Sequence, residues 1–301
     1  WMVLLISFTP ILHIVDYIAI NWLSAPSAYV SDGAPMGLAI FHTMFNVLNV
    51  GIMIWFVPFL VNTATKMVKS KGDMDEEYHL EYISTGVMAT PEMSILEAQK
   101  EVAKFGKLVQ KMHGFLHGLI TNVDNKEISK TLARVKKYED ITDRIEVDVA
   151  NYLAKVSEAQ MSGTSSIRVR GMLRIIGNLE RMGDIYYQMS KNIERKNEKK
   201  IYFTPEQRER LLNMFELVEN ALNNMNKNLE GHYEDTTLTK AIELENAINK
   251  YRKTIRKEHF ESVERGDYNF DSATIYSELF NSLEKIGDHT INVTEGVTGE
   301  H

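Results

Sequence analysis

The sequence predicts an all-α protein in which transmembrane helices are followed by two repeated three-helix bundles, six helices in all. Three observations support this fold class. Residues 1–65 contain no Lys or Arg, whereas all 34 basic residues of the chain lie in 66–301. The later part has the apolar spacing of helices, and the triplet Thr-Pro-Glu opens two of them. The motifs LERMGD (179–184) and LEKIGD (283–288) close the two halves, which indicates an internal duplication.

Two apolar stretches near the start, Met2–Leu23 and Met36–Val61, have the length that a helix needs to cross a bilayer. The first is interrupted by a few polar residues, and a buried helix of a soluble protein is the alternative for it. The second contains no Asp, Glu, Lys or Arg. We therefore assign residues 1–65 to a membrane-spanning segment.

The most polar residues of the second stretch are His42, Asn46 and Asn49, and their spacing places them in one stripe on a helix. In lipid, such a stripe must face another helix or a water-filled path. Two interpretations stay open: the three side chains line a transport path, or they form hydrogen bonds between helices without touching a substrate.

Three lysines, Lys66, Lys69 and Lys71, follow the second stretch directly. Because basic residues next to a span mark its cytoplasmic side, we expect the remaining chain to be cytoplasmic. Residues 66–89 are polar and are interpreted as a linker to a helical domain over 90–301. Hydrophobic sequence is already under way at the first residue, so we expect a longer protein that begins upstream.

The helical domain divides into two repeats, 90–200 and 204–301, each with three helices. Short connections between the helices predict antiparallel neighbours within each repeat. Thr90-Pro91-Glu92 and Thr204-Pro205-Glu206 have the residues of a helix start: a capping Thr, a Pro in the first position and an acid in the first turn. The predicted helices are 91–121, 125–161, 165–197, 205–231, 236–265 and 271–297.

Each repeat contains two pairs of oxygen-bearing side chains, spaced four residues apart so that they share a helix face. The first repeat has Glu139 with Asp143 and Glu180 with Asp184; the second has Glu245 with Asn249 and Glu284 with Asp288. The Glu residues of the two pairs are 41 residues apart in the first repeat (139 to 180) and 39 in the second (245 to 284). This agreement indicates one duplicated design rather than ordinary surface acids, which are the alternative.

Carboxylates crowded between helices repel one another unless protons, Lys or Arg partners, or a cation relieve the repulsion. Because the chain has no Cys, the strong ligands left are oxygen and imidazole. Oxygen ligands suit hard divalent cations such as Mg²⁺ or Mn²⁺, or iron. A carboxylate-bridged metalloenzyme of the ferritin type would need two Glu-x-x-His pairs. The sequence has one, Glu76–His79, in the predicted linker, so we do not predict an enzyme.

Two further features of the helical domain have ordinary explanations. A basic run, Lys250, Arg252, Lys253, Arg256 and Lys257, is interpreted as a solvated helix face, with a partner surface as the second choice. His289 directly follows a candidate ligand; it is interpreted as a helix-face histidine, with a ligand as the alternative. The overall charge of −7 gives no sign of a nucleic-acid footprint.

LERMGD and LEKIGD, each in the third helix of a repeated unit, resemble the PhoU family. The stretch GLAIFHTMFNVLNVGIMIWFVPFLVN (37–62), with His-Thr-Met-Phe-Asn at 42–46, resembles the end of the second membrane repeat of bacterial sodium/phosphate cotransporters. The order of membrane repeat, linker and PhoU-like domain is also that of the cotransporter family. The resemblance covers nearly the whole chain.

The resemblance implies a C-terminal part of a sodium-dependent phosphate symporter in the bacterial inner membrane, with Na⁺ as coupling ion. It implies that a cytoplasmic PhoU-like domain holds a multinuclear metal cluster on the four pairs above and regulates phosphate uptake. Expected partners are inorganic phosphate, the lipid bilayer, upstream transmembrane repeats and, as a further option, a second copy of the chain. The alternative is a membrane-anchored PhoU-like regulator without transport activity of its own.

This chain departs from the family pattern in two respects. Asn249 stands where the family often has Asp, and Gln188 stands where the second repeat has Asn292. The two clusters are therefore not expected to be equal. The family's Gln-Ser-Ser-Ser substrate motifs are missing from these residues, so we expect the chain alone to be unable to transport.

Overall fold

The structure is a computed structural model that describes residues 2–67, 79–83, 90–121 and 124–299. Lys69, Lys71 and Glu76, which the sequence analysis used, lie outside the described residues. The described part of the chain contains eight α-helices and no strand, so the prediction of an all-α fold is confirmed. The helices are α1 (Met2–Asn21), α2 (Ala34–Met67), α3 (Pro91–Thr121), α4 (Asn125–Ser157), α5 (Gly163–Glu198), α6 (Pro205–Glu230), α7 (Thr239–Arg265) and α8 (Phe270–Thr298).

The chain forms two separate units, Trp1–Asp75 and Glu76–His301. In the first unit, α1 and α2 pack through the buried side chains of Val15, Ala19 and Ile40. The connection between them is held by the carboxylate of Asp16, which accepts hydrogen bonds from the Ser27 hydroxyl and the Ala28 N–H, both at 2.7 Å. Asp16, a charged residue in an apolar helix, thus has hydrogen-bond partners in the adjoining connection.

Among the described residues, one helix is long and apolar enough to cross a membrane by length and composition: α2, over Ala34–Leu60, with a mean hydropathy of 1.7. Most of its large apolar side chains are exposed, and Trp55 is 86% accessible. The polar stripe also lies on this exposed surface, with His42 Nε2 3.0 Å from Asn46 Nδ2 and Asn49 exposed. Side chains in the first turns of α1 are not described, and its membrane assignment stays a prediction.

The second unit contains two three-helix repeats, α3–α5 and α6–α8. The main contacts between the repeats are those of α5 with α8 and of α3 with α6, so one continuous hydrophobic core runs through both. The predicted and observed ends of these six helices differ by at most four residues. The helix starts could be predicted this closely because capping residues mark them. Thr204 and Gln207 form a reciprocal capping box at the start of α6, and Asn269 caps α8.

A short segment before α3, residues 79–83, is attached to the side of that helix. The carboxylate of Glu101, only 1% exposed, accepts hydrogen bonds from the backbone N–H groups of Glu81 and Tyr82 at 3.0 and 2.9 Å. Ile83 is buried in the core of the helical unit. This part of the predicted linker is therefore integral to the helical unit.

Candidate metal centre

The first cluster consists of Glu139 and Asp143 on α4 with Glu180 and Asp184 on α5. One carboxylate oxygen from each of Glu139, Asp143 and Asp184 lies within 4.8 Å of the other two. Within the described part of the chain, no other group of three or more His, Asp or Glu ligand atoms comes so close. Sequence spacing placed these residues on helix faces, and the structure brings the faces together.

Gly183 allows α4 and α5 to approach at this point. A Cβ atom at residue 183 would lie 2.7 Å from Thr142 Oγ1, closer than side chains tolerate. The Thr142 hydroxyl is itself turned inward and donates to the Glu139 carbonyl at 2.8 Å. The Gly of LERMGD therefore sets the helix separation that gathers the carboxylates.

The acids of the first cluster perturb one another. Burial, and then the neighbouring carboxylates of Asp184 and Glu146, raise the pKa of Glu180 to about 7. Burial and the charge of Asp184 also raise the pKa of Asp143. One cation is close: Lys136 Nζ lies 3.5 Å from Glu139 Oε2, but its side chain is 53% exposed. At Asp143, burial and the neighbouring carboxylates therefore outweigh the attraction of this exposed lysine.

A hard cation fits this donor set. Oxygen ligands of one Mg²⁺, Mn²⁺ or Ca²⁺ ion lie about 2.0–2.6 Å from the metal, so they are at most about 5 Å from one another. The three oxygens of the first cluster meet this limit. They also lie on an accessible surface, because Asp143 and Asp184 are exposed. The arrangement can therefore hold a cation and leave coordination positions open to solvent or to another oxygen ligand.

The second cluster, Glu245 and Asn249 on α7 with Glu284 and Asp288 on α8, has the same scaffold but a different charge. Gly287 approaches Ile248 just as Gly183 approaches Thr142; a Cβ there would lie 2.9 Å from Ile248 Cδ1. Here Asn249 donates a hydrogen bond to the Glu245 carboxylate. Burial and the charges of Glu284 and Glu245 raise the pKa of Asp288 to about 6.

Arg252 is the residue that separates the two clusters chemically. Its Nη2 donates to Glu284 Oε1 at 2.6 Å, and both side chains are largely buried, at 23% and 15% exposure. The matching residue of the first repeat is Glu146, seven residues after the leading Glu in each case. The first cluster thus has an additional acid where the second has a guanidinium.

Sequence reasoning missed the roles of Glu146 and Arg252. It treated Arg252 as part of a solvated face, which is wrong because this side chain is mostly buried against Glu284. The difference between the two positions was available in the repeat itself, since placing Glu139 on Glu245 pairs Glu146 with Arg252. His289, interpreted as a helix-face residue, bonds through Nδ1 to Asn178 Oδ1 at 2.9 Å and so connects α8 to α5.

The raised pKa of Glu180 predicts a pH-dependent stability of the metal-free protein. In the unfolded chain this carboxyl titrates near its ordinary value of 4.5, whereas in the folded state it titrates at about 7. Its contribution to stability is therefore fully present below pH 4.5 and is lost as the pH rises through 7. Melting temperatures measured in chelator should fall for the wild type relative to Glu180→Gln over this range.

Titrating groups outside the first cluster, such as the buried His113 with its pKa lowered by burial to about 4, are common to both proteins and cancel in the difference. A difference in melting temperature that stays constant with pH would contradict the assignment.

The PhoU domain family matches this chain twice, over residues 102–193 and 211–297. The two ranges fall on the two three-helix repeats and together cover more than half of the chain. The chain therefore belongs to the PhoU domain family, and this part of the resemblance seen in the sequence is confirmed.

The chain is also similar to curated relatives and to a solved structure. Relatives from Salmonella typhimurium and Escherichia coli K12, both named as a candidate inorganic phosphate export protein, YjbB, are 19% identical to the chain over 157 residues. The alignment covers 52% of this chain and 28% of each relative. The crystal structure of PhoU from Pseudomonas aeruginosa superposes with a TM-score of 0.55 at 16% identity, covering 68% of this chain and 96% of that one. At this identity the likeness establishes the fold.

Proposed function

We propose that this chain is the C-terminal part of a sodium-dependent phosphate symporter, whose helical unit binds metal and regulates phosphate movement. The observation that carries the proposal is the first cluster: three carboxylate oxygens within 4.8 Å of one another, inside a PhoU domain. The unit would lie on the cytoplasmic side of the bacterial inner membrane.

In this proposal the first cluster is the stronger metal site. Glu139, Asp143, Glu180 and Asp184 together carry four carboxylates, and a hard divalent cation or iron would relieve their mutual repulsion. The second cluster, with Arg252 on Glu284, already contains a cation of its own and is the weaker site.

The proposed membrane role rests on α2 and on the relatives. The exposed apolar surface of α2 suits contact with lipid or with further transmembrane helices of a longer protein. His42, Asn46 and Asn49 would then face the transport bundle. The relatives are named for phosphate export, which supports phosphate as the solute and makes the direction of transport part of the test.

A second candidate function is a membrane-anchored regulator without transport activity. It is favoured by the family match, which lies on the two three-helix repeats of the helical unit. In this case the first unit would serve as an anchor, and the PhoU-like unit would act on a separate transporter.

The test is phosphate flux through inner-membrane vesicles that contain the longer protein to which this chain belongs. A sodium gradient, compared with an equal potassium gradient, is expected to drive uptake of radiolabelled phosphate. Asp143→Asn with Asp184→Asn is expected to change that rate by about 5-fold or more, the lower end of typical coupling between sites. Glu243→Gln, on the exposed start of α7, is the matched control and should leave the flux unchanged.

Uptake or efflux that does not respond to sodium would rule out the symporter. Absence of any flux, with a cluster-dependent effect on another phosphate transporter in the same membrane, would replace it by the anchored regulator.

A further inference from the structure

A groove between α7 and α8, on the second repeat, has an unusual lining. It has a volume of about 360 Å³. Its polar lining residues are Arg252, Arg256, His259, Ser277 and Asn281, and no carboxylate lines it. Two guanidinium groups thus converge on one accessible space; we call it the α7–α8 groove.

The two arginines are held in place by different contacts. Arg252 donates through Nη2 to Glu284, whereas its Nε is buried and has no hydrogen-bond partner. A guanidinium has five N–H donors, so the bond to Glu284 leaves donors for another acceptor. Arg256 lies over the ring of Phe260, 5.6 Å from its centroid, and its side chain is exposed. The Phe260 ring therefore supports the Arg256 guanidinium at the edge of the groove.

The first repeat shows that this lining is a property of the second repeat alone. When LERMGD and LEKIGD are aligned, and Glu139 is placed on Glu245, buried positions coincide along both helix pairs. At the groove positions the first repeat has small or apolar residues where the second has polar ones. Ala150, Leu153, Leu173 and Gly177 correspond to Arg256, His259, Ser277 and Asn281.

We propose that the α7–α8 groove binds a small tetrahedral oxyanion of the phosphate type. Arg252 and Arg256 supply the charge, because the planar guanidinium donates two N–H groups in the geometry of phosphate oxygens. The Asn281 amide supplies a further donor from α8. The two repeats thus differ in the charge of their ligands: the first cluster gathers acids for a cation, whereas the second repeat presents arginines to an anion. Anion binding here requires neither metal in the first cluster nor transport, although Arg252 also contacts Glu284 of the second cluster.

The experiment is calorimetric titration of the full chain in detergent with inorganic phosphate, in the presence of a chelator so that no metal takes part. Wild-type protein is expected to bind phosphate, and Arg256→Gln is expected to weaken binding by at least about tenfold, the effect of about 1.4 kcal/mol. Arg256 is exposed, so its replacement leaves the core intact. Lys253→Gln, one turn away and outside the groove, removes the same charge and should bind like the wild type.

Several outcomes would overturn the proposal. They are no binding by the wild type, equal binding by Arg256→Gln, and displacement of phosphate by chloride at equal ionic strength, which would indicate charge screening alone. Phosphate binding that is lost in chelator or in Asp143→Asn with Asp184→Asn would assign the anion to the first cluster instead. Failure of these tests would leave metal binding by the first cluster untouched, because metal content is measured separately.

Discussion

Substituting Asn for both Asp143 and Asp184 is expected to lower the divalent-metal affinity of the protein by at least about 100-fold, since losing an outer-shell partner alone costs about 10–100-fold. The substitutions preserve side-chain size and remove two of the three charges that lie within 4.8 Å of one another. Competition with a fluorescent chelator, using Mg²⁺, Mn²⁺ and Fe²⁺ in turn, measures the affinity, and elemental analysis of the purified protein measures the bound metal.

The control is Asp288→Asn, the matching change in the second cluster. It removes an acid from a site that already contains Arg252, so the protein should keep most of its metal. Equal loss of metal from both variants would show that the clusters are equivalent. Full retention of metal by the Asp143→Asn and Asp184→Asn variant would refute the site.

The combination of Arg252→Glu with Asn249→Asp is expected to raise the metal bound per chain by roughly twofold, because it gives the second cluster the acids of the first. In the wild type, the guanidinium of Arg252 satisfies Glu284, and the Asn249 amide satisfies Glu245. Without these partners the acids of the second cluster repel one another, and a cation becomes the remaining source of positive charge. The metal-free variant should therefore melt at a lower temperature than the wild type and recover when metal is added.

Lys253→Glu is the control, because it makes the same charge change as Arg252→Glu but on the exposed face of α7. It should leave metal content and melting temperature close to wild-type values. If the double variant binds no additional metal, Arg252 is not the cause of the difference in metal binding between the two clusters.

The helical domain could be predicted from the sequence largely because its helix starts are local signals. Thr204, Pro205 and Gln207 define the beginning of α6 without any information from elsewhere in the chain. The carboxylate pairs could also be found, since a spacing of four residues fixes a shared face. The duplicated spacing then indicated which two helix faces belong together, so the residues of the first cluster could be predicted as a group.

Long-range contacts could not be read in the same way. A basic run on a helix looks alike whether it faces solvent or a carboxylate on another helix, so the pairing of Arg252 with Glu284 needed the packing of α7 on α8. The hydrogen bonds from Glu81 and Tyr82 to Glu101 could not be predicted either, because nothing local in residues 79–83 indicates their attachment to α3.

This attachment has a practical consequence for dividing the protein. A fragment that began at residue 90, where the helical pattern starts, would keep the Glu101 carboxylate but lose both of its N–H donors. Water would have to replace both hydrogen bonds, and a hydrogen bond to a charged group contributes about 1.5–3 kcal/mol. The same cut would remove Ile83 and open the adjoining core to water. The helical unit therefore includes residues 79–83, and a fragment intended for metal or phosphate binding should start before His79.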